Sequence, residues 1–262
     1  ITCSPAFHPI LPLLIDVRAA RRSRPDLPVP ALEFTAPEDA RWQIERGLDR
    51  TATAFGARPK GMWPSEGSVS PEAAALLAGA GVRWVATDEL VLWKSIGAPG
   101  AKREALYRPW VYPSAGGELA LFFRDHDLSD RIGFVYSTWK AADAVADFLR
   151  QLRRIGEAHR AAGLPGRPVV SVILDGENCW EHYAEDGRLF LEALYVALDG
   201  ARDIRTRTPS DVLADGPEPG RLEFLHSGSW IDADFHIWAG HPEKNRAWDL
   251  LARTRGALVA AG

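Results

Sequence analysis

The sequence predicts a parallel α/β fold, and three observations carry that prediction. Short β-rich runs alternate with helical stretches along most of the chain. One run, residues 168–174 (Pro-Val-Val-Ser-Val-Ile-Leu), is almost continuously apolar and β-branched, the pattern of a parallel strand buried on both faces. Polar and acidic residues collect where the runs end, as they do on the carboxyl-terminal face of α/β barrels, where catalytic groups sit. With 262 residues, 46% of them hydrophobic and 25% charged, the chain suits one large core, and residues 1–262 read as a single catalytic barrel domain.

Thr35-Ala36-Pro37-Glu38 combines a capping residue, a first-turn proline and an acidic residue, predicting a helix over Pro37–Phe55 that stops before Gly56. Residues 60–67 read as a strand breaking into a Gly/Pro/Ser loop, and Ser70-Pro71-Glu72 opens an Ala/Leu-rich helix to Ala80. Residues 82–87 form a strand ending in Asp88-Glu89, and residues 119–123 form another that feeds Arg124-Asp125-His126-Asp127. Apolar residues at helical spacing mark a helix over 137–159, ended by Gly163 and Pro165. The 168–174 strand delivers Asp175-Gly176-Glu177. A helix over 187–198, a short strand over 222–224, a Gly/Ser/Trp-rich loop after it and a helix from Pro242 to Arg255 complete the pattern, with charged, Pro-rich loops at 18–30 and 215–220.

The formal net charge of -4 offers no basic face for nucleic acid or an anionic membrane, and no apolar run reaches the roughly 20 residues of a membrane span. Two cysteines, Cys3 and Cys179, are too few for a disulfide framework and read as free thiols in a reducing, cytoplasmic setting. Residues 1–15 lack the basic start of a signal peptide, and the segment after Cys3 reads as a strand end running into a loop, so the natural protein is expected to begin further upstream.

Ten tryptophans stand out, and Trp63, Trp93, Trp110, Trp180, Trp230 and Trp238 lie beside Gly, Asp or Glu or outside long aliphatic runs. Core packing accounts for some of them. The others suit a sugar, whose C–H face stacks on a flat ring while its hydroxyls pair with polar groups.

Glu66 follows an aromatic-rich strand and precedes Gly67-Ser68, which leaves little bulk beside its carboxylate. That placement suits a nucleophile, and a surface or helix-capping Glu is the plainer alternative. Asp175 closes an apolar strand, where low dielectric raises a carboxyl's proton affinity and suits it to general acid work; capping the next helix would equally account for it. Two carboxylates from different strands are what glycoside hydrolysis requires. The scattered histidines, of which His126 between Asp125 and Asp127 is the local candidate, show no compact metal-binding spacing such as His-Glu-x-x-His. The G-x-S-x-G, P-loop and dinucleotide fingerprints are also missing.

Five segments in order resemble glycoside hydrolase family 57: His8-Pro9-Ile10-Leu11-Pro12-Leu13, Gly61-Met62-Trp63-Pro64-Ser65-Glu66, the run from Phe123 to Phe134, Leu174-Asp175-Gly176-Glu177-Asn178-Cys179-Trp180-Glu181, and Trp238-Ala239-Gly240-His241-Pro242-Glu243-Lys244-Asn245. The run from Phe123 is similar to the family's amylopullulanase-like branch. The resemblance implies an incomplete (β/α)7 barrel, a retaining mechanism on α-glucans through a covalent glycosyl-enzyme intermediate, and no metal or other cofactor. It implies Glu66 as nucleophile and Asp175 as acid/base. It also implies substrate contacts from His8, Trp63, Arg124, Asp125, Glu177, Trp180 and Trp238. The family's opening His-Gln-Pro strand is absent, so the barrel is expected to lack its first strand in this chain, as when a sequence continues upstream. A metal-dependent polysaccharide deacetylase or α-mannosidase on a similar barrel, and a catalytically silent carbohydrate-binding protein, are the competing readings.

Overall fold

The computed structural model describes residues 2–97, 103–175 and 180–261, so Glu177 and Cys179 lie outside the described residues. The chain divides into two compact units. The first comprises Ile1–Ala101, Trp110–Phe123 and Gly220–Gly262, and the second comprises Lys102–Pro109 and Arg124–Pro219.

The first unit is organised by a sheet of strands β1 (Gly61–Met62), β2 (Trp84–Asp88), β3 (Trp110–Ser114), β4 (Gly117–Arg124) and β5 (Gly220–Arg221), in the order β1-β2-β4-β3-β5. β1 pairs with β2, and β3 with β5, in parallel. Cys3 adds a single parallel bridge to Met62 where a strand end was expected, and the segment after it forms a short helix over Leu11–Ile15. The sheet is nevertheless mixed, because β3 and β4 form an antiparallel hairpin with Ser114 opposite Gly117. Trp110–Ser114 contains Pro113 and is only half-buried along most of its length, so it carries no apolar run that would mark it as a strand. β2 is buried at all five positions, which explains why Trp-Val-Ala-Thr is legible as a strand.

The helix Pro37–Phe55 has its expected bounds, with proline in the first turn and Gly56 in the left-handed conformation at its end. Thr35 does not cap it: the cap position is Ala36, without a side-chain bond. Ser70 does cap Pro71–Gly79, its hydroxyl accepting from the Ala73 N–H at 3.2 Å. The helix Glu89–Ser95 is not evident from periodicity; the Asp88 carboxylate, read as part of an acidic strand end, accepts from the Leu90 N–H at 2.9 Å and starts it.

In the second unit the helices Ala141–Ala161 and Arg188–Gly200 pack around Leu128, Ile132, Tyr136, Phe148, Tyr183 and Phe190. The first of them begins later than 137 because Tyr136–Thr138 is a 3-10 turn and Lys140 is extended. Residues 168–174 are half-buried and not buried on both faces. Their backbone is bonded at scattered points: Asp125 N–H donates to Ser171 O and Val169 N–H to Tyr107 O, both at 2.8 Å, Ile173 N–H donates to Ser129 Oγ at 3.2 Å, the Arg124 side chain donates to Ile173 O at 2.9 Å, and one parallel bridge joins Arg124 and Ser171. β-branched composition cannot distinguish such a partly paired segment from a central strand.

Asp147 ties this unit together. Its carboxylate, 6% exposed, accepts from the Tyr136 hydroxyl at 2.7 Å and the Gln151 amide at 3.3 Å and pairs with Arg131 and Arg150. Burial alone would raise its pKa, but these donors and cations outweigh it and hold the group below the ordinary 3.8. A depressed carboxylate contributes stability above its unfolded pKa and loses it as pH falls through the folded value. Asp147→Asn is therefore expected to cost about 2 kcal/mol at neutral pH and to flatten the loss of stability in acid, as read by thermal melts between neutral pH and about pH 3. In the first unit, a Cβ on Gly61 would lie 2.0 Å from the Trp84 indole, so Gly61→Ala should lower the denaturant midpoint by a change equivalent to about 3 kcal/mol. A wild-type midpoint would show that β1 and β2 are not packed this closely.

Candidate active site

Glu66 lies just beyond β1, in the single 3-10 turn Ser65–Gly67, and its backbone is left-handed at φ 59°, ψ 26°. Gly67 follows at φ 58°, with the Trp63 ring 2.9 Å from where its Cβ would stand, so only glycine fits there. A left-handed non-glycine residue costs about 1–3 kcal/mol and persists where its surroundings hold it. Four bonds do so: Gly67 N–H to Pro64 O (2.8 Å), Ser68 N–H to Ser65 O (3.0 Å), Thr87 Oγ–H to Gly67 O (2.6 Å) and Trp230 N–H to Glu66 O (3.0 Å).

Both oxygens of the Glu66 carboxylate are engaged. The Trp230 indole Nε1–H donates to Oε2 at 2.9 Å, and His8 Nε2 lies 3.1 Å from Oε1. A carboxylate only accepts, so His8 presents Nε2–H. His8 is itself left-handed at φ 55° and half-exposed, while the Glu66 side chain is 26% exposed. Trp63 meets Trp230 edge-on at 5.2 Å, giving the carboxylate an aromatic wall. The result is an oriented, partly desolvated carboxylate with a lone pair left on each oxygen, which can add to an electrophilic carbon.

Trp230 belongs to the loop 226–236, which the sequence marked only by its Gly, Ser and Trp content. Val69 and Gly228 exchange both backbone bonds at 2.8 and 3.0 Å, and the His226 N–H donates to Ser95 Oγ at 2.9 Å. The Ser229 hydroxyl donates to Asp234 O at 2.8 Å. Asp232 and Ala233 are both left-handed, at φ 55° and 49°. Their carbonyls accept from Lys94 Nζ at 3.2 and 3.4 Å, and Ala233 O also accepts from His226 Nε2–H at 2.8 Å. Burial pushes the His226 pKa down, although the bond to Ala233 opposes it. His226→Gln, which keeps an N–H for Ala233 but cannot take up a proton, is expected to weaken the acid destabilisation that begins below about pH 6.5, because the unfolded chain then no longer binds that extra proton.

The other residues singled out in the sequence have different surroundings. Trp238 packs beside Ile10, Leu13, Leu27 and Phe235, and its carbonyl accepts from the Trp248 indole at 2.9 Å. In the second unit, Arg124 is 5% exposed, donating to Ile173 O at 2.9 Å and pairing with Asp130. Asp125, 1% exposed, accepts from the Tyr107 hydroxyl at 2.9 Å, from Arg103 at 3.0 Å and from the Leu128 N–H at 3.0 Å, which starts the helix His126–Asp130. Burial and this carboxylate push the Tyr107 hydroxyl pKa up. Asp175 is half-buried at the end of the 168–174 segment. Trp180 packs against Tyr183 and Phe190, with Gly187 leaving room for its ring. His8, Trp63 and Glu66 are thus brought together in the first unit and joined by Trp230, while Arg124, Asp125, Asp175 and Trp180 belong to the second. Among the described residues no three His, Cys, Asp or Glu side chains converge as a metal ion would require, and no helix is long and apolar enough to cross a membrane.

Two proteins from strains of Mycobacterium tuberculosis, named as probable 1,4-alpha-glucan branching enzymes, are 25% identical to the chain over 266 residues, covering 88% of it and 49% of their own length. The chain therefore spans about half the length of the curated relatives it matches. Among solved structures, a branching enzyme of the GH57 type from Thermococcus kodakaraensis superposes with a TM-score of 0.67 at 17% identity, over 95% of this chain and 53% of that one. The alpha-amylase AmyC from Thermotoga maritima gives 0.63 at 19% identity, over 87% and 50%. These likenesses bear out the α/β barrel class. The sequence profile of glycosyl hydrolase family 57 matches residues 1–224, most of the chain and the whole stretch that carries Glu66 and Asp175, and the chain belongs to that family.

Proposed function

We propose that this chain carries the catalytic residues of a retaining enzyme acting on α-glucans, with Glu66 as nucleophile and Asp175 as general acid/base. The observation that carries the reading is the Glu66 carboxylate, held in a left-handed turn with donors 3.1 and 2.9 Å from its two oxygens. An oriented carboxylate loses little freedom on reaching an attacking geometry. Its oxygen adds to the anomeric carbon as the glycosidic C–O bond breaks, and the departing oxygen takes the Asp175 proton. Asp175 then removes a proton from the acceptor hydroxyl, whose oxygen displaces Glu66 and restores the starting anomer.

Hydrolysis and transfer differ only in whether that acceptor is water or a sugar hydroxyl. The branching enzymes among the sequence relatives and structural neighbours support transfer, from an α-1,4 chain to a sugar hydroxyl. His8 and Trp63, which lie beside Glu66 and Trp230, are proposed to meet the donor sugar. Trp180, Trp238 and Glu177 are proposed as further substrate contacts. Arg124 and Asp125, nearly inaccessible, would serve substrate through the backbone they hold. A neutral glucan also suits a chain of modest net charge.

Glu66→Gln is expected to reduce turnover of amylose by on the order of a thousandfold or more while leaving the melting temperature close to that of the native protein. Asp175→Asn should retain slow release of a good leaving group, such as fluoride from α-glucosyl fluoride, while losing action on amylose. Iodine staining, reducing-end assays and NMR of the first-formed anomer check both. An initial β-anomer, or native rates in either variant, would overturn the assignment.

A further inference from the structure

We propose that Lys94 and His226, which do not touch the Glu66 carboxylate, are positioning residues that pin the 226–236 loop and so hold the Trp230 indole on it. This rests on the reading of Glu66 as the nucleophile. The loop must do two things at once. It carries Trp230 to Glu66, binding it by both the main-chain N–H at 3.0 Å and the indole N–H at 2.9 Å. It then reverses through Asp232 and Ala233, two consecutive left-handed residues without the freedom of glycine.

What pays for that reversal is visible in the carbonyls it exposes. The ammonium of Lys94, on the helix that follows β2, spans Asp232 O and Ala233 O. His226 approaches Ala233 O from within the loop at 2.8 Å, with its own N–H fixed to Ser95 on the same helix. Gly228 lets the loop close, because a Cβ there would lie 2.5 Å from Ala233 O. One short helix, Glu89–Ser95, therefore anchors the loop at both ends of the stretch that contains Trp230. Ser229 ties that stretch internally through Asp234 O. Without the two anchors the left-handed pair loses its compensation, and the indole donor leaves Glu66 before the fold itself is lost.

The test uses the full chain labelled with 15N at the indole nitrogens. The Trp230 signal is identified as the one missing in Trp230→Phe. In Lys94→Met and His226→Phe its hydrogen exchange should quicken by about tenfold or more, and kcat on amylose should fall by a similar factor with KM nearly unchanged. Lys94→Arg and His226→Gln, which keep an N–H for the carbonyls, should recover both. In a Trp230→Phe background Lys94→Met should add less than about a twofold further loss, because residues acting through one another are not additive. Unchanged exchange at Trp230 in Lys94→Met, whose exposed side chain leaves the core intact, overturns the proposal, as does a full further loss in the Trp230→Phe background. If native protein shows no turnover of α-glucan, the functional reading fails, and the exchange measurement still decides the positioning role on its own.

Discussion

Everything at the candidate nucleophile depends on the double attachment of Trp230 to Glu66, one bond to the backbone carbonyl and one to the carboxylate. The backbone bond stabilises the left-handed turn that aims the side chain. The indole bond fixes where the side chain points once aimed. A single loop residue thus controls both position and orientation, and His8 completes the arrangement from a second strained loop. Strain of this kind clusters where a side chain must be preorganised, since a relaxed backbone would leave the carboxylate free to rotate.

The acidic residues at strand ends divide by what their oxygens accept. Asp88 and Asp125 accept backbone N–H groups and start short helices, and Asp125 adds a buried tyrosine and an arginine. Asp147 serves a similar purpose inside the second unit. Glu66 instead meets two ring N–H donors and keeps a quarter of its side chain open to solvent. Carboxylates buried among their donors build the scaffold, whereas one held by two ring donors and left accessible is available for chemistry.

Much of this was legible from local signals. Pro37 and Gly56 bound a helix because proline's fixed φ and glycine's left-handed freedom act within a turn. Ser70-Pro71 marks the next helix for the same reason. β2 is legible because it is buried throughout. The hairpin strand Trp110–Ser114 was not, because its pairing with β4 compensates for a proline and half-exposed side chains that argue against a strand. At the site, Glu66 and His8 emerged from motif and placement, but Trp230 is 164 residues from Glu66, and no local pattern encodes a bond over that distance. A Gly-Ser-Trp loop after the last strand was the available signal. Arg124 and Asp125, which the family resemblance implies as substrate contacts, also bind the Ile173 carbonyl and the Tyr107 hydroxyl, pairings that no local pattern in the sequence encodes.

Intact-mass analysis after incubation with 5-fluoro-α-glucosyl fluoride, followed by peptide mapping, tests Glu66 as the nucleophile. One added fluoroglucosyl group is expected, carried by the peptide containing Glu66 and absent from Glu66→Gln. A folded protein that gains no adduct, or gains it on another carboxylate, would contradict the assignment of Glu66 as the nucleophile of a retaining reaction.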